Sequence, residues 1–250
     1  MVLDSIRVSE LQRAMSCELS FFYSRTRKVE FKSVAMLMGS LVHKCLQDYF
    51  QTVLDGGNRA DWGVMNSLLE QYFDHDKDGV DFSKVSELQA RETAKHYLFT
   101  YHQKRCRLLY PLSVERQFKV KVKQGDRELV ISGIIDLITT SMNIIDYKTT
   151  SSVSSWTQGR ADAELQSALY PYLAKTHNLE IAGFEYDVFS GKDLKIYPVE
   201  FNMRKVTDAV RFAFRLQDTL ENYPESLLSS KSKFVCNCCN WKDECDKRRI

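Results

Sequence analysis

The chain contains little proline or glycine, lacks a long apolar run and carries almost no net charge. Only four prolines and ten glycines occur in 250 residues, and none cluster into a linker, which predicts one domain over 1–250. No apolar stretch approaches the ~20 residues that span a bilayer. Because the formal net charge is only +2, any nucleic-acid surface is expected to be a local basic patch rather than a global field.

The beginning of the chain lacks a secretory pattern. The segment MVLDSIRVSELQ has no basic block followed by an apolar block, so we expect a cytoplasmic protein. That compartment keeps thiols reduced, and the seven cysteines are therefore expected to be metal ligands or core residues. The sequence also has no Gly-x-x-x-x-Gly-Lys-Ser/Thr phosphate loop, which excludes a P-loop helicase module.

The hydrophobic pattern predicts an α/β fold, with a central mixed β-sheet flanked by helices. Apolar residues recur at helical spacing over 33–54, with Ser33 as a candidate N-cap, and again over 61–74 and 83–109. From 112 onward the period changes to two, which predicts strands. The later predicted elements are a hairpin over 112–140, a strand over 143–149, a helix over 160–176, strands over 182–190 and 194–201, and a helix over 203–222.

Opposite charges interrupt the apolar strand NIIDYKTT. Asp146 and Lys148 are two residues apart and therefore share a face of the strand. A hairpin would bring Asp136, ten residues upstream, beside Asp146, and two close carboxylates repel unless a cation lies between them. Oxygen ligands favour Mg²⁺ or Mn²⁺, and a lysine next to such an ion is suited to phosphodiester hydrolysis. The alternative is an ion pair on the surface of an edge strand.

Asp136, followed after ten residues by Asp-x-Lys, resembles the signature of the PD-(D/E)XK nuclease superfamily. Three further segments resemble motifs of its RecB-like members and occur in the same order. These segments are GSLVH (39–43), GIID (133–136) and QSALY (166–170). The resemblance implies a restriction-endonuclease-like core, and it covers about 39–173.

The resemblance also implies roles for individual residues. Lys148 would be the catalytic lysine, and Gln166 with Tyr170 would orient that lysine or the DNA. Glu115 falls where related nucleases place an additional acid. The implied metal ligands are His43, Asp136, Asp146 and the backbone carbonyl of Tyr147.

Each of these residues also has an ordinary interpretation. His43 alone would be a histidine on the face of a helix, and the spacing of Gln166 and Tyr170 is common by chance. Pro171 departs from the family pattern, because proline inside a helix removes a hydrogen bond and favours a kink or a break directly after Tyr170. The nuclease interpretation therefore depends on the joint occurrence of the segments in order.

Four cysteines resemble the ligand set of an iron–sulfur subset of RecB-like nucleases, which includes the AddB nuclease domain and the stand-alone nucleases of CRISPR adaptation. Cys236, Cys239 and Cys245 follow the predicted core, and Cys17 precedes it. The resemblance implies a [4Fe–4S] clasp between 1–32 and 223–250, around a helical region (33–111) and a nuclease core (112–222). Zinc remains the alternative for four thiolates. The remaining cysteines are Cys238, a spare ligand, and Cys45 and Cys106, which are expected to be buried.

The implied function is a Mg²⁺- or Mn²⁺-dependent deoxyribonuclease, an exonuclease on single-stranded DNA or frayed DNA ends in phage recombination or CRISPR adaptation. A rival from another class is a non-catalytic adaptor that docks DNA ends onto an integrase or recombinase. A third is a zinc-stabilised structural protein.

The basic and aromatic residues that could contact DNA form four groups. For the lysines on one strand face the alternative is a solvated surface, and for the aromatic residues it is the core. The groups are Lys119, Lys121 and Lys123 on that face, the clusters Arg25, Arg27, Lys28 and Lys104, Arg105, Arg107, and the aromatic residues Phe21, Phe22, Tyr23 and Trp156.

Overall fold

The structure is a computed structural model that describes residues 1–27, 32–57, 61–150, 156–190, 193–229, 236 and 239–247. Lys28 and Cys238, which the sequence offered as a DNA contact and a spare cluster ligand, lie outside the described residues. Within the described ranges, none of the helices combines the length and the apolar character needed to cross a membrane.

Helices precede, interrupt and follow the main run of strands. The helices are α1 Val8–Ser16, α2 Glu18–Thr26, α3 Val34–Leu54, α4 Trp62–Asp76, α5 Glu87–Tyr101, α6 Gln158–Ala163, α7 Gln166–Lys175, α8 Met203–Asn222 and α9 Lys242–Lys247. The strands are β1 Ser5–Arg7, β2 Lys32–Ser33, β3 Val80–Asp81, β4 Pro111–Gln124, β5 Arg127–Thr139, β6 Asn143–Thr150, β7 Gly183–Ser190 and β8 Asp193–Val199.

The main sheet is mixed, as the sequence predicted. Its strand order is β1-β5-β6-β7-β8, and β4 pairs with β5 as well. The β1–β5 and β6–β7 pairs are parallel, whereas β4–β5, β5–β6 and β7–β8 are antiparallel. β1 and β6 both pair with β5, but along different stretches of that strand, Val130–Ser132 for β1 and Leu137–Ile138 for β6. β6 therefore runs beside β5 only over a short stretch and then separates from it, and we call the opening between these two strands the fork.

Helices cover both faces of this sheet and form two hydrophobic cores. In the first core, α1, α2, α7 and α8 pack side chains such as Leu11, Leu169 and Phe214 against one face. In the second core, α3, α4 and α5 pack against the other face, around residues such as Tyr49 and Leu98. This layered arrangement agrees with the α/β fold predicted from periodicity.

Several element boundaries differ from the predictions. The helix expected over 83–109 begins at Glu87, where Ser86 and Gln89 form a capping box, and its last part becomes a π-helical turn, His102–Cys106. The helix expected over 160–176 is divided into α6 and α7. Strand β1 was not predicted, because a segment of three residues is too short to show an alternating pattern.

The predicted break at Pro171 does not occur. Pro171 lies inside α7, which continues to Lys175, and its own side chain is buried. The missing amide hydrogen costs one helical bond to the Ser167 carbonyl. Leu169 and Leu173, both fully buried on the same helix, supply apolar burial that outweighs a cost of roughly 3 kcal/mol.

A buried ion cluster links α5 to the sheet. It includes Arg105, which the sequence analysis had placed in a basic surface cluster. Arg105 is not a surface residue, because its side chain is only 13% exposed and its Nε donates to Asp187 Oδ2 at 3.1 Å. Arg105 also pairs with Glu185, and the Tyr101 hydroxyl donates to Asp187 at 2.8 Å. These contacts satisfy a fully buried carboxylate, so Arg105 is unavailable to DNA.

Gly133 lets α7 approach the sheet closely. A Cβ atom at this position would lie 2.7 Å from Tyr170 Cε1 and 3.2 Å from Leu173 Cδ1. The absence of a side chain therefore leaves room for the Tyr170 ring directly over β5. This is the physical reason for a glycine in the segment GIID.

Replacing Gly133 by alanine should destabilise the protein by about 1–3 kcal/mol, because the new methyl group overpacks the contact with Tyr170. Urea denaturation would measure the change. Gly159→Ala is the matched control, since its Cβ would meet nothing closer than 3.9 Å and alanine favours a helix. Equal stability of the Gly133→Ala variant and the parent would show that α7 does not depend on this contact.

A candidate metal centre where two strands part

The candidate site lies at the fork between β5 and β6. These strands pair only through Leu137–Ile145 and Ile138–Ile144. Asp136 comes directly before this paired stretch on β5, and Asp146 comes directly after it on β6. Because the paired stretch runs antiparallel, both carboxylates lie at the same end of it, where the strands separate.

Glu115 on β4 faces the same point. Its neighbours Val114 and Arg116 pair with Leu137 and Ile135, which places Glu115 opposite Asp136. The backbone of Glu115 has φ = 46°, a left-handed conformation that is uncommon for a residue with a side chain. Such conformations cost of order 1–3 kcal/mol and cluster at functional sites.

The alternation of side chains along β5 shifts by one residue at Asp136. Ile135 and Ile138 are three residues apart, yet both belong to the first core, whereas Leu137 belongs to the second. A regular strand would put Ile135 and Ile138 on opposite faces. The register between β4 and β5 is unchanged across this point, so the shift is not a β-bulge; it coincides with the left-handed backbone of Glu115 on the facing strand.

His43 reaches the fork from α3. Its Nε2 lies 3.0 Å from the backbone oxygen of Tyr147, and its Nδ1 lies 3.4 Å from Asp136 Oδ1. The other oxygen of Asp136 accepts a hydrogen bond of 2.9 Å from the Tyr147 amide. Burial lowers the pKa of His43, but the charge of Asp136 outweighs it and raises the pKa to about 9.

Three side chains at the fork could hold a metal ion. One ligand atom each from His43, Glu115 and Asp136 lies within 4.8 Å of the others, and in the described part of the chain no other group of three or more potential ligands does so. One imidazole nitrogen and two carboxylates form a donor set that suits a divalent cation.

The charges at the fork fit a bound cation. Burial and the negative charge of Asp136 raise the pKa of Glu115 to about 7. Burial also raises the pKa of Asp146 to about 6, with the charge of Lys148 acting against it and that of Asp136 adding to it. Burial raises the pKa of Asp136 as well, but the charge of His43 outweighs it and holds the value below the usual range. A cation among these carboxylates would relieve their repulsion.

Lys148 lies beside the acids and near an aromatic residue of the first core. Its Nζ forms an ion pair with Asp146 and lies 5.5 Å from the centre of the Tyr186 ring. On α7, Gln166 Nε2 donates to the Tyr170 hydroxyl at 3.0 Å. The Tyr170 hydroxyl is also close enough to the site for burial and the charges of Asp146 and Asp136 to raise its pKa. The structure thus brings Gln166 and Tyr170 to the same fork.

The cysteines are only partly brought together. Cys17, Cys239 and Cys245 all pack against the first core, and an ion pair of 3.4 Å joins Arg27, after α2, to Glu244 in α9. No three of the sulfurs of Cys17, Cys236, Cys239 and Cys245 lie within 4.8 Å of one another. The iron–sulfur clasp therefore stays a prediction. Cys45 and Cys106 are fully buried, as expected.

The predicted aromatic contacts to DNA are mostly in the core. Phe21, Tyr23 and Trp156 are at most 6% exposed, so they support the fold. Tyr186, which the sequence analysis did not single out, contacts Trp156 at 5.3 Å between ring centres as well as Lys148. The position of Tyr186 beside the site follows from the strand register, which pairs Asp146 on β6 with Tyr186 on β7.

Comparison with known proteins identifies the family. The sequence model of the PD-(D/E)XK nuclease superfamily matches residues 5–246. The chain belongs to this superfamily. No curated protein matches the chain.

One solved structure has a similar fold, and a second is only weakly similar. A crystal structure of a proposed exonuclease from Eubacterium rectale is similar with a TM-score of 0.59 and 15% identity, over 94% of this chain and 87% of that one. At this identity the likeness shows the fold alone. A structure of the protein SSO0001 reaches a TM-score of only 0.43 with 12% identity, over 96% and 95% of the two chains.

Manganese should stabilise the folded PD-(D/E)XK protein, because a cation relieves the repulsion of Glu115 and Asp136 only in the folded state. At a free Mn²⁺ concentration of 100 times the dissociation constant, binding adds about 2.7 kcal/mol to the free energy of unfolding. This gain corresponds to an increase of about 5–10 °C in Tm for a chain of this length. Differential scanning fluorimetry with and without MnCl₂ would measure it. The Asp136→Asn variant should lose most of this increase in Tm. The control variant Asp193→Asn, which removes an exposed acid on β8, should keep it. An equal increase in both variants would place the ion elsewhere.

Proposed function

We propose that this protein is a metal-dependent deoxyribonuclease, and more narrowly an exonuclease on single-stranded DNA or DNA ends. The observation that carries this proposal is the fork itself, where His43, Glu115 and Asp136 lie close enough to share one ion and Asp146 forms an ion pair with Lys148 on the neighbouring strand. Membership of the nuclease superfamily and the fold of the proposed exonuclease from Eubacterium rectale support it. Recombination or CRISPR adaptation in the cytoplasm is the proposed setting.

In this mechanism His43, Glu115, Asp136 and the carbonyl of Tyr147 would hold a Mg²⁺ or Mn²⁺ ion, and Asp146 would be a further ligand. When bound, the ion polarises a phosphoryl oxygen and lowers the pKa of water. Water would attack phosphorus and give up one proton, one P–O ester bond would break, and the leaving oxygen would take up a proton.

Lys148 has the geometry to stabilise negative charge on the phosphate during that attack. The ion pair with Asp146 and the ring of Tyr186 fix the direction of its ammonium group. Such a preorganised cation in a half-buried site stabilises the transition state more than the ground state. Gln166 and Tyr170 hold each other on the α7 side of the lysine, where they would orient it or the DNA.

The test of catalysis is the cleavage of end-labelled DNA with Mn²⁺. Asp146→Asn and Lys148→Gln should each lower kcat by about 100- to 1000-fold, as the loss of one charge-stabilising group does in other enzymes. Substrates with either end blocked would show whether cleavage starts at an end and from which one. Measuring single-stranded and duplex DNA in parallel gives the strand preference.

Asp193→Asn is a control that removes an exposed acid far from the fork in the sheet. Because burial raises the pKa of Asp146, its charge is unfavourable to the fold, so Asp146→Asn should not lower the Tm of the protein. A parent protein that binds DNA without cleaving it would instead favour a non-catalytic adaptor for an integrase or recombinase. Cleavage that survives in both Asp146→Asn and Lys148→Gln would reject this site.

We also propose a [4Fe–4S] cluster on Cys17, Cys236, Cys239 and Cys245. The packing of Cys17, Cys239 and Cys245 against one core and the Arg27–Glu244 ion pair support it, because they hold the two ends of the chain together. The cluster would connect segments more than two hundred residues apart in sequence, which restricts the unfolded chain.

Anaerobically purified protein should therefore contain iron and sulfide and show the broad visible absorbance of a cluster. Cys239→Ser should lose most of the iron, whereas Cys45→Ala, a buried cysteine outside the proposed set, should keep it. Elemental analysis measures both metals. Stoichiometric zinc in place of iron would favour the zinc alternative.

A further inference from the structure

The outer side of the β4–β5 hairpin is an exposed basic face. Lys119, Lys121 and Lys123 alternate with buried residues along β4, and all three are exposed. Phe118 and Val122, on the opposite side of the strand, belong to the first core. The three lysines therefore project from the side of the sheet that faces solvent.

β1 widens this face to three strands. Across the sheet, Lys119 is paired with Ser132 and Ser132 with Arg7, which is also exposed. We call Arg7, Lys119, Lys121, Lys123 and the paired Glu128 the lysine face. Its four cations and one anion sum to +3, more than the +2 of the whole chain, so the remaining residues sum to −1. Positive charge is thus concentrated here, as phosphate binding requires.

The lysine face begins next to the candidate metal centre. Glu115 is on the same strand, and at about 3.4 Å per residue Lys119 is about 14 Å and Lys123 about 27 Å along it. Gln117 and Ile134, which pair with each other between these points, are both exposed. The route from the fork to the lysines is therefore open along β4.

The spacing of the lysines suits an extended single strand. Alternate residues of a β-strand lie about 6.8 Å apart, which is close to the distance between successive phosphates of an extended nucleic-acid backbone. The three ammonium groups are also in a straight row. A duplex would meet such a row at only a few phosphates, because its backbones wind away from it.

A purely structural role does not account for the whole pattern. Lysines on an edge strand prevent pairing between sheets of different molecules, and Glu128 forms ion pairs with Lys121 at 2.8 Å and Lys123 at 2.6 Å. One carboxylate cannot neutralise three lysines, and among the described residues Lys119 forms no ion pair. Exposed ion pairs are weak, so phosphates can displace Glu128.

We propose that the lysine face binds the backbone of single-stranded DNA whose end lies at the metal centre. The proposal rests on the proposed function in one respect, that DNA occupies the fork. It adds a direction, in which about four nucleotides beyond the site run along β4 toward the hairpin turn.

Binding is measured by fluorescence anisotropy in EDTA, where no cleavage occurs. The probes are an oligothymidylate of about 2 nucleotides, which at about 6.8 Å per nucleotide ends before Lys119, one of about 20 nucleotides and a blunt duplex of the longer length. The test variant carries Lys119→Gln, Lys121→Gln and Lys123→Gln. The matched control carries Lys84→Gln, Lys175→Gln and Lys195→Gln, three exposed lysines on other parts of the surface, and loses the same charge.

The test variant should bind the longer single strand about tenfold more weakly than the parent at low salt. The slope of log affinity against log salt should become shallower by about 2, since each phosphate contact on a single strand contributes about 0.7. The shortest probe, which reaches only the fork, should bind all three proteins alike. The control variant should remain within about twofold of the parent on every probe.

Equal weakening in the test and control variants would overturn the proposal, because it would reflect general charge. Unchanged binding in the test variant, or tighter binding of duplex than of single strands by the parent, would overturn it too. The proposed function fails separately, if the parent cleaves no DNA with Mn²⁺. Binding in EDTA does not require cleavage, so the two results remain distinguishable.

Discussion

The repulsion among three carboxylates at the fork is the constraint on which the site depends. Glu115, Asp136 and Asp146 come from three neighbouring strands and are held in a partly buried space, where like charges are costly. The protein offsets this cost with two cations, His43 from one side of the sheet and Lys148 from the sheet itself. The arrangement leaves excess negative charge, which is the physical basis for metal binding.

The two cores explain why the fork keeps its shape. α3 brings His43 from the second core, and α7 brings Gln166 and Tyr170 from the first. The fork exists because β5 is shared, with β1 pairing along one stretch and β6 along another. A sheet in which β6 followed β5 along its whole length would close the space that the ligands enclose.

Much of the fold could be predicted from local pattern. The alternation in β4 and β5, the turn at Gly125 (φ = 61°) and the apolar spacing of α3 all specify their elements without tertiary information. Pro171 shows the limit of such rules, because the burial of α7 outweighs a local preference. The location of Arg105 shows another, since a basic residue was expected at the surface and instead satisfies a buried carboxylate.

The sequence by itself determined which residues can form the site, because Asp-x-Lys on a strand places its two charges on one face whatever the strand packs against. Only the tertiary structure decided how the other residues meet them, including His43 and Glu115, which the family resemblance had indicated, and Tyr186, which nothing in the sequence indicated. Strand register and helix packing bring Glu115, His43 and Tyr186 to the fork. The change in side-chain alternation at Asp136 turns the Asp136 carboxylate toward these residues. Contacts between distant segments depend on how whole layers pack, and no local spacing encodes that packing.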